Sequence, residues 1–182
     1  MSNRFKSHRG LSKTYPISLC CANTIHDRNL GSLIRSAACF GAECVHIIGP
    51  IPERKVLNSL SGSLYDFVKI KQHRSSHEFL DWIKNENIKL VAAEICEDSE
   101  PVGSYNFNFD RNMCLVVGNA ECGIPIEILQ NSDKIHIPMP GIGHCLNTSQ
   151  AANILLYEAV KHHEAQEERI QGWADQGIYC LP

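Results

Sequence analysis

The residues from Ile137 to Val160, IPMPGIGHCLNTSQAANILLYEAV, decide how the chain is read. An apolar strand end runs into a loop rich in Pro and Gly. The loop then runs without a break into a long helix with one apolar stripe. Two buried elements flank backbone that cannot be regular, because proline lacks an amide donor and glycine lacks conformational restraint. Junctions of this kind are where α/β proteins place ligands. This one carries a Cys145-Leu146-Asn147-Thr148-Ser149 cluster rich in hydrogen-bonding groups.

Working outward, strands and helices alternate. Short apolar runs predict strands at Pro16–Cys21, Cys44–Ile48, Asp66–Ile70, Ile88–Ile95, Met113–Gly118 and Lys134–Ile137. Helical spacing predicts helices over Asn29–Gly41, Glu53–Leu60, Ser76–Asn85, Pro125–Leu129 and Thr148–Glu164, with Gly41 a C-terminal stop and a Ser cap before Phe79. In the last helix Ala152, Leu155, Leu156 and Ala159 form the buried stripe, with Asn153 and Glu158 off it. Glu97–Asp110 reads as loop. Continuous Val/Ile/Leu strands are strands covered on both faces, so the expected fold is α/β, a mainly parallel sheet with helices on both sides. No repeat or second domain interrupts it. The expected organisation is a basic arm over 1–14, a single domain over 15–164 and a tail over 165–182. The tail's Trp173 and Tyr179 are expected to pack on the domain or on a second subunit.

Composition narrows the function. The chain has 182 residues, is 43% hydrophobic and 20% charged, and carries a net charge of −3. That suits one globular domain and leaves only local basic faces for a polyanion. Arg4, Lys6, His8, Arg9 and Lys13 make such a segment, while acids gather over Glu94–Glu100 and Glu164–Glu168. No apolar run reaches the ~20 residues that span a bilayer, and no signal peptide is evident. The nine Cys are odd in number and form no C-x-x-C pair, so no metal site is expected. They read as small buried thiols of a protein in the reducing cytoplasm.

Three loops stand at the carboxyl ends of predicted strands: 23–31, which leads into the helix bearing Arg35; 118–123; and 138–147. Gly118, Gly123, Gly141 and Gly143 let backbone approach a ligand closely. None of the loops carries a dinucleotide, P-loop or nucleophile-elbow signature. Neighbours in a chain rarely face each other, so His144 and Cys145 do not read as a Cys-His nucleophile.

Three blocks, in order, resemble the SpoU (TrmH-like) branch of the SPOUT RNA methyltransferases. They are Asn29-Leu-Gly-Ser-Leu-Ile-Arg35-Ser-Ala-Ala-Cys-Phe-Gly41, then Leu115-Val-Val-Gly118-Asn119-Ala-Glu121-Cys-Gly123-Ile, then Ile137-Pro-Met139-Pro-Gly with Leu146-Asn147, Ala151-Ala152 and Leu156-Tyr157-Glu158. Ser61-Gly62-Ser63 sits where the family often has a small turn. The resemblance covers residues 16 to 162. It implies a C-terminal trefoil knot, a cytoplasmic homodimer, and methyl transfer from S-adenosyl-L-methionine to a ribose 2′-hydroxyl of tRNA or rRNA. It implies that Gly118, Asn119, Gly123, Ile137, Met139, Cys145 and Leu146 hold the cofactor. Arg35, Asn29 and Asn147 fall at the catalytic positions, and Glu121, one place beyond the family's Glu, is the fourth catalytic candidate. Arg35 is assigned to activating the hydroxyl, although a guanidinium, with a pKa above about 12, is a poor base and a good phosphate holder. Asn29 also reads as a helix N-cap. RNA contacts fall to the arm and to Arg54, Lys55, Lys69, Lys71 and Arg74.

The chain departs from the family pattern twice. Ala120 stands at the usual Glu position, with Glu121 one place later. Cys145 replaces the usual Ser before Leu-Asn, and a thiol is a weaker donor than a hydroxyl. These departures motivate two alternatives, an RNA-binding relative without activity and a base-nitrogen methyltransferase of the same fold.

Overall fold

A computed structural model describes residues 12–22, 26–119, 121–143 and 145–166. Arg4, Lys6, His8 and Arg9, the loop start at 23–25, Ala120, His144, Trp173 and Tyr179 lie outside the described residues.

The elements run β1 (Tyr15–Ala22), α1 (Asp27–Cys39), β2 (Ala42–Ile48), α2 (Arg54–Leu60), β3 (Lys69–His73), α3 (Ser76–Asn85), β4 (Lys89–Ala93), β5 (Glu100–Pro101), β6 (Met113–Val117), α4 (Ile126–Leu129), β7 (Asp133–His136) and α5 (Thr148–Gln166). The strands form one sheet of seven in the order β3-β2-β1-β6-β4-β7-β5. Every pairing in it is parallel. The expected α/β fold is what forms.

The pleat divides the strand residues between two cores. Ile17, Leu19, Cys21, Val45, Ile47, Val91, Met113, Leu115 and Val117 face a cluster completed by α1 and α5. Cys20, Ala22, Ile48, Leu90, Ala92, Cys114 and Val116 face a smaller cluster completed by Phe79, Leu80 and Ile83 of α3 and Ile128 of α4. Alternate residues of one strand therefore serve opposite cores, which is why the strands read as unbroken apolar runs. α5 buries Ala152, Leu155, Leu156 and Ala159. It packs on α1, β6 and β1, so the chain that left β7 has returned across β4 to the middle of the sheet. Lys13 and Tyr15 bind Glu164 of α5 at 2.7 and 2.6 Å, which ties the start of β1 to the last helix.

Three expectations need correction. The strand over Asp66–Ile70 is a 3-10 turn, Tyr65–Phe67, followed by β3 at Lys69–His73. β3 is the polar edge strand KIKQH, so apolarity placed the strand too early. Glu97–Asp110 is not all loop, because Glu100–Pro101 pairs with β7. Val102, Tyr105 and Phe107 of the same segment plug the larger core without any periodic pattern. Nor are the thiols uniformly buried: Cys20, Cys21 and Cys114 are buried, whereas Cys39, Cys122 and Cys145 are exposed. Burial pushes Cys44 up to about 11 and Cys114 up to about 12, so both remain inert thiols.

His46 of β2 is fully buried between His73, Phe79 and Trp82, with its ring centroid 4.5 Å from that of Trp82. Burial first, then His73 and Lys71, push its pKa down from 6.5 to about 3. The unfolded chain takes up a proton near 6.5 that the folded chain refuses until about 3, so stability drains as pH falls through that window. The slope is at most about 1.4 kcal/mol per pH unit. Urea denaturation at pH 7.5 and pH 5 is expected to show this loss, and His46→Phe is expected to reduce it. An undiminished loss in His46→Phe would place the acid sensitivity elsewhere.

Candidate active site

The carboxyl ends of β4, β6 and β7 meet the start of α5 around a cleft of about 250 Å³. Gly118, Asn119, Gly123, Ile137, Met139, Cys145 and Leu146 all line it. The sequence therefore converges on one place from segments nearly thirty residues apart.

The loop after β6 is built by close backbone contact. Asn119 and Gly123 exchange backbone hydrogen bonds of 3.1 and 2.9 Å, and Asn119 Oδ1 accepts from the Glu121 amide at 2.7 Å. A Cβ on Gly118 would stand 2.4 Å from the Gly123 carbonyl carbon. Gly123 has φ +66°, and a Cβ there would stand 2.8 Å from Glu94 Oε2. Both positions demand glycine, the first for space and the second for space and conformation.

The loop after β7 is locked to this one where α5 begins. Thr148 Oγ1 donates to the Gly118 carbonyl at 3.0 Å. Asn147 is the cap of α5, since its Oδ1 accepts from the Ser149 amide at 2.9 Å and the Ser149 hydroxyl at 2.7 Å. With Oδ1 engaged, Nδ2 donates to Asn29 Oδ1 at 3.0 Å. This network orients both amides and leaves Asn29 Nδ2 as the outward donor. Asn29 is not the cap of α1 as expected. His26 holds that place, and Asn29 lies in the first turn, where its side chain reaches Asn147 instead.

Arg35 projects from α1 into solvent and does not line the cleft. Its guanidinium lies across the Ser61-Gly62-Ser63 turn, where a Cβ on Gly62 would meet Arg35 Nη1. That turn is held near α1 by Gly31, whose missing side chain admits Leu60. Gly62 and Ser63 both have φ +66°, so the turn is strained at Ser63. No carboxylate among the described residues pairs with Arg35. Glu121 is exposed and also stands outside the cleft lining.

Two wall residues that escaped the sequence reading of the site are Glu94 and His136, while Thr148 belongs to the polar cluster already singled out. Glu94 and His136 immediately follow or end strands, the position at which α/β ligand residues occur, and that signal was available. Ser99 Oγ gives its proton to the Cys96 carbonyl at 2.6 Å, so in its 3.0 Å contact with His136 Nδ1 the imidazole donates. The five cations expected to meet RNA are partly spent. Arg54 pairs with Asp66 at 2.5 Å, Lys69 with Glu43 at 2.8 Å and Arg74 with Glu78 at 3.0 Å, while Lys71 lies over the Trp82 ring. Among the described residues no three His, Cys, Asp or Glu side chains are grouped to hold a metal, and no helix is long and apolar enough to cross a membrane.

A parallel α/β sheet with a glycine-walled cleft beside the last helix defines a class of ligand-binding domain. Residues 16–157 match the SpoU rRNA Methylase family, and the chain belongs to that family. It is 26% identical over 156 residues to the tRNA (guanosine(18)-2′-O)-methyltransferase of Escherichia coli K12, covering 85% of this chain and 67% of that one. It is 30% identical over 142 residues to the 23S rRNA (uridine(2479)-2′-O)-methyltransferase of Streptomyces viridochromogenes, covering 73% of this chain and 48% of that one. The structure of the SpoU methyltransferase from S. viridochromogenes in complex with the cofactor AdoMet superposes with a TM-score of 0.71 at 27% identity, over 81% of this chain and 60% of that one. The fold of the Aquifex aeolicus TrmH/SpoU tRNA modifying enzyme matches over 97% of both chains with a TM-score of 0.77 at 23% identity.

Asn147 separates capping from linkage. Asn147→Asp keeps the acceptor for Ser149 and loses the donor to Asn29, whereas Asn147→Ala loses both. Chemical denaturation is expected to show a cost of about 1 kcal/mol for the alanine variant and clearly less for the aspartate variant. Equal costs would mean that the contact with Asn29, not the cap, stabilises this junction.

Proposed function

We propose that the protein is an S-adenosylmethionine-dependent RNA methyltransferase that modifies a ribose 2′-hydroxyl of tRNA or rRNA. The observation that carries this reading is the cleft, in which the seven residues at the family's cofactor positions meet around backbone that only glycine permits. The residue types suit a bent nucleoside. Val117, Ile137, Met139 and Leu146 offer apolar surface, and the loop backbone of Gly118 and Asn119 offers polar groups. Cys145 lines the wall, where its thiol serves as a weaker partner than a hydroxyl. When bound, S-adenosylmethionine supplies a methyl group already activated by its sulfonium.

The protein must then orient the hydroxyl in line and lower the cost of its developing negative charge. Arg35 suits the second task. It is exposed and has no carboxylate partner among the described residues, and a guanidinium offers a planar cationic fork of donors. It acts as an electrostatic anchor for the phosphate and the nascent alkoxide, with the hydroxyl proton leaving to solvent. Asn29, oriented by Asn147, presents its amide donor to the same substrate. Glu121 remains a candidate for substrate contact from the rim. We infer further that the return of the chain from β7 to α5 is the family's trefoil knot. The exposed Leu146, Ile95 and Tyr157 support a homodimer with the cleft at its contact, and free thiols are consistent with a cytoplasmic enzyme. The arm over 1–14 and the tail over 165–182 remain candidates for RNA and partner contacts.

Tritiated methyl transfer to total tRNA and rRNA, with the products digested to nucleosides, is the direct test. A 2′-O-methylnucleoside is expected. A methylated base would establish the base-nitrogen alternative, and no transfer alongside tight RNA binding would establish the inactive one. Arg35→Ala is expected to lower kcat by at least a hundredfold with cofactor affinity retained, the range set by loss of one charge-stabilising group. Gly62→Ala, which fills the space under the guanidinium, is expected to reproduce part of that loss, again without changing cofactor affinity. Unaltered methylation by Arg35→Ala would remove Arg35 from the mechanism.

A further inference from the structure

Glu94 is the one carboxylate in the cleft wall, and the chemistry above leaves it without a task. It is the first residue beyond β4, and its own amide is held by the Ile135 carbonyl at 2.9 Å. Its side chain is clamped at both oxygens. Oε1 accepts from the Ile95 amide at 3.2 Å, and Oε2 accepts from the Ile124 amide at 3.3 Å. Gly123 makes the room, because a side chain there would collide with Oε2. The carboxylate is therefore tied to the loop after β6 as well as to its own strand. No cation among the described residues pairs with it. Each oxygen has one lone pair engaged by backbone and keeps another, so this point of the wall suits hydrogen-bond donors on an occupant.

We propose that Glu94 reads the ribose of the nucleoside cofactor by accepting hydrogen bonds from its 2′ and 3′ hydroxyls. This rests on the cleft being the S-adenosylmethionine site. Two parallel acceptor oxygens suit two vicinal hydroxyls, the chemistry by which dinucleotide-binding α/β domains of a different fold hold a ribose on an acid. The sulfonium has no donor to offer. The α-ammonium and the adenine amine have, and they are the competing partners of the carboxylate; a carboxylate bound to either would leave wild type indifferent to the 2′-hydroxyl.

Calorimetric titration of the full chain separates these cases. The probes are S-adenosylmethionine, S-adenosylhomocysteine, 5′-methylthioadenosine, which lacks the amino acid, and 2′-deoxy-5′-methylthioadenosine. Glu94→Gln is expected to weaken the first three by a common factor, roughly ten- to hundredfold for hydrogen bonds to a charged group. Wild type is expected to disfavour the 2′-deoxy compound, and Glu94→Gln to lose most of that preference. The wild-type measurement needs no variant, so absence of the preference is decisive even if the substitution disturbs the loop. Absence of any 2′-hydroxyl preference in wild type overturns the proposal. So does a loss confined to ligands bearing the α-ammonium. Failure of wild type to bind S-adenosylmethionine at all overturns the cofactor reading itself.

Discussion

The constraint on which the site depends is the backbone contact between Gly118 and Gly123. A single methyl on Gly118 would stand 2.4 Å from the Gly123 carbonyl carbon. Because the contact is that close, the loop after β6 folds back as a tight bridged turn, and the Gly118 carbonyl faces Thr148 at the head of α5. That bond starts the helix, and the helix supplies the apolar stripe closing the larger core. Catalytic geometry and stability thus share the same few ångströms of backbone, and the turn cannot be relaxed without loosening the core behind it.

The polar groups around the cleft are arranged by competition for partners. Asn147 Oδ1 is used by Ser149, which forces Nδ2 toward Asn29, which in turn frees one donor at the rim. Ser99 orients the His136 ring in the same way, with its hydroxyl engaged by the Cys96 carbonyl. Arg35 has no such partner and is steered by shape, lying over a glycine brought near by the Gly31–Leu60 contact. Several charges elsewhere are paired with one another, as at Arg54–Asp66 and Lys69–Glu43; such exposed pairs contribute little to stability and leave less free charge for a phosphate backbone.

The alternation of apolar strands and amphipathic helices was legible in the chain, and so was the grouping of Gly118, Ile137 and Leu146 at strand ends. What apolarity could not show was polar structure. β3 is an edge strand with little apolar signal, and Phe107 is a core residue inside a segment without periodicity. The link between Asn29 and Asn147 joins residues 118 positions apart and reverses the local expectation that Asn29 caps its own helix. Glu94 read only as the acid near the end of a predicted strand and the first of a run with Glu97 and Glu100, whereas the fold places it beside Gly123.

The sequence by itself determined the parallel α/β sheet, the family and the loops that meet, since these follow from the period of apolar residues and from short motifs in order. Tertiary structure alone decided which polar groups face the cleft, which described cations lie outside ion pairs and which glycines meet a neighbouring backbone. Those outcomes depend on approach distances between segments far apart in the chain, and no local pattern encodes such distances.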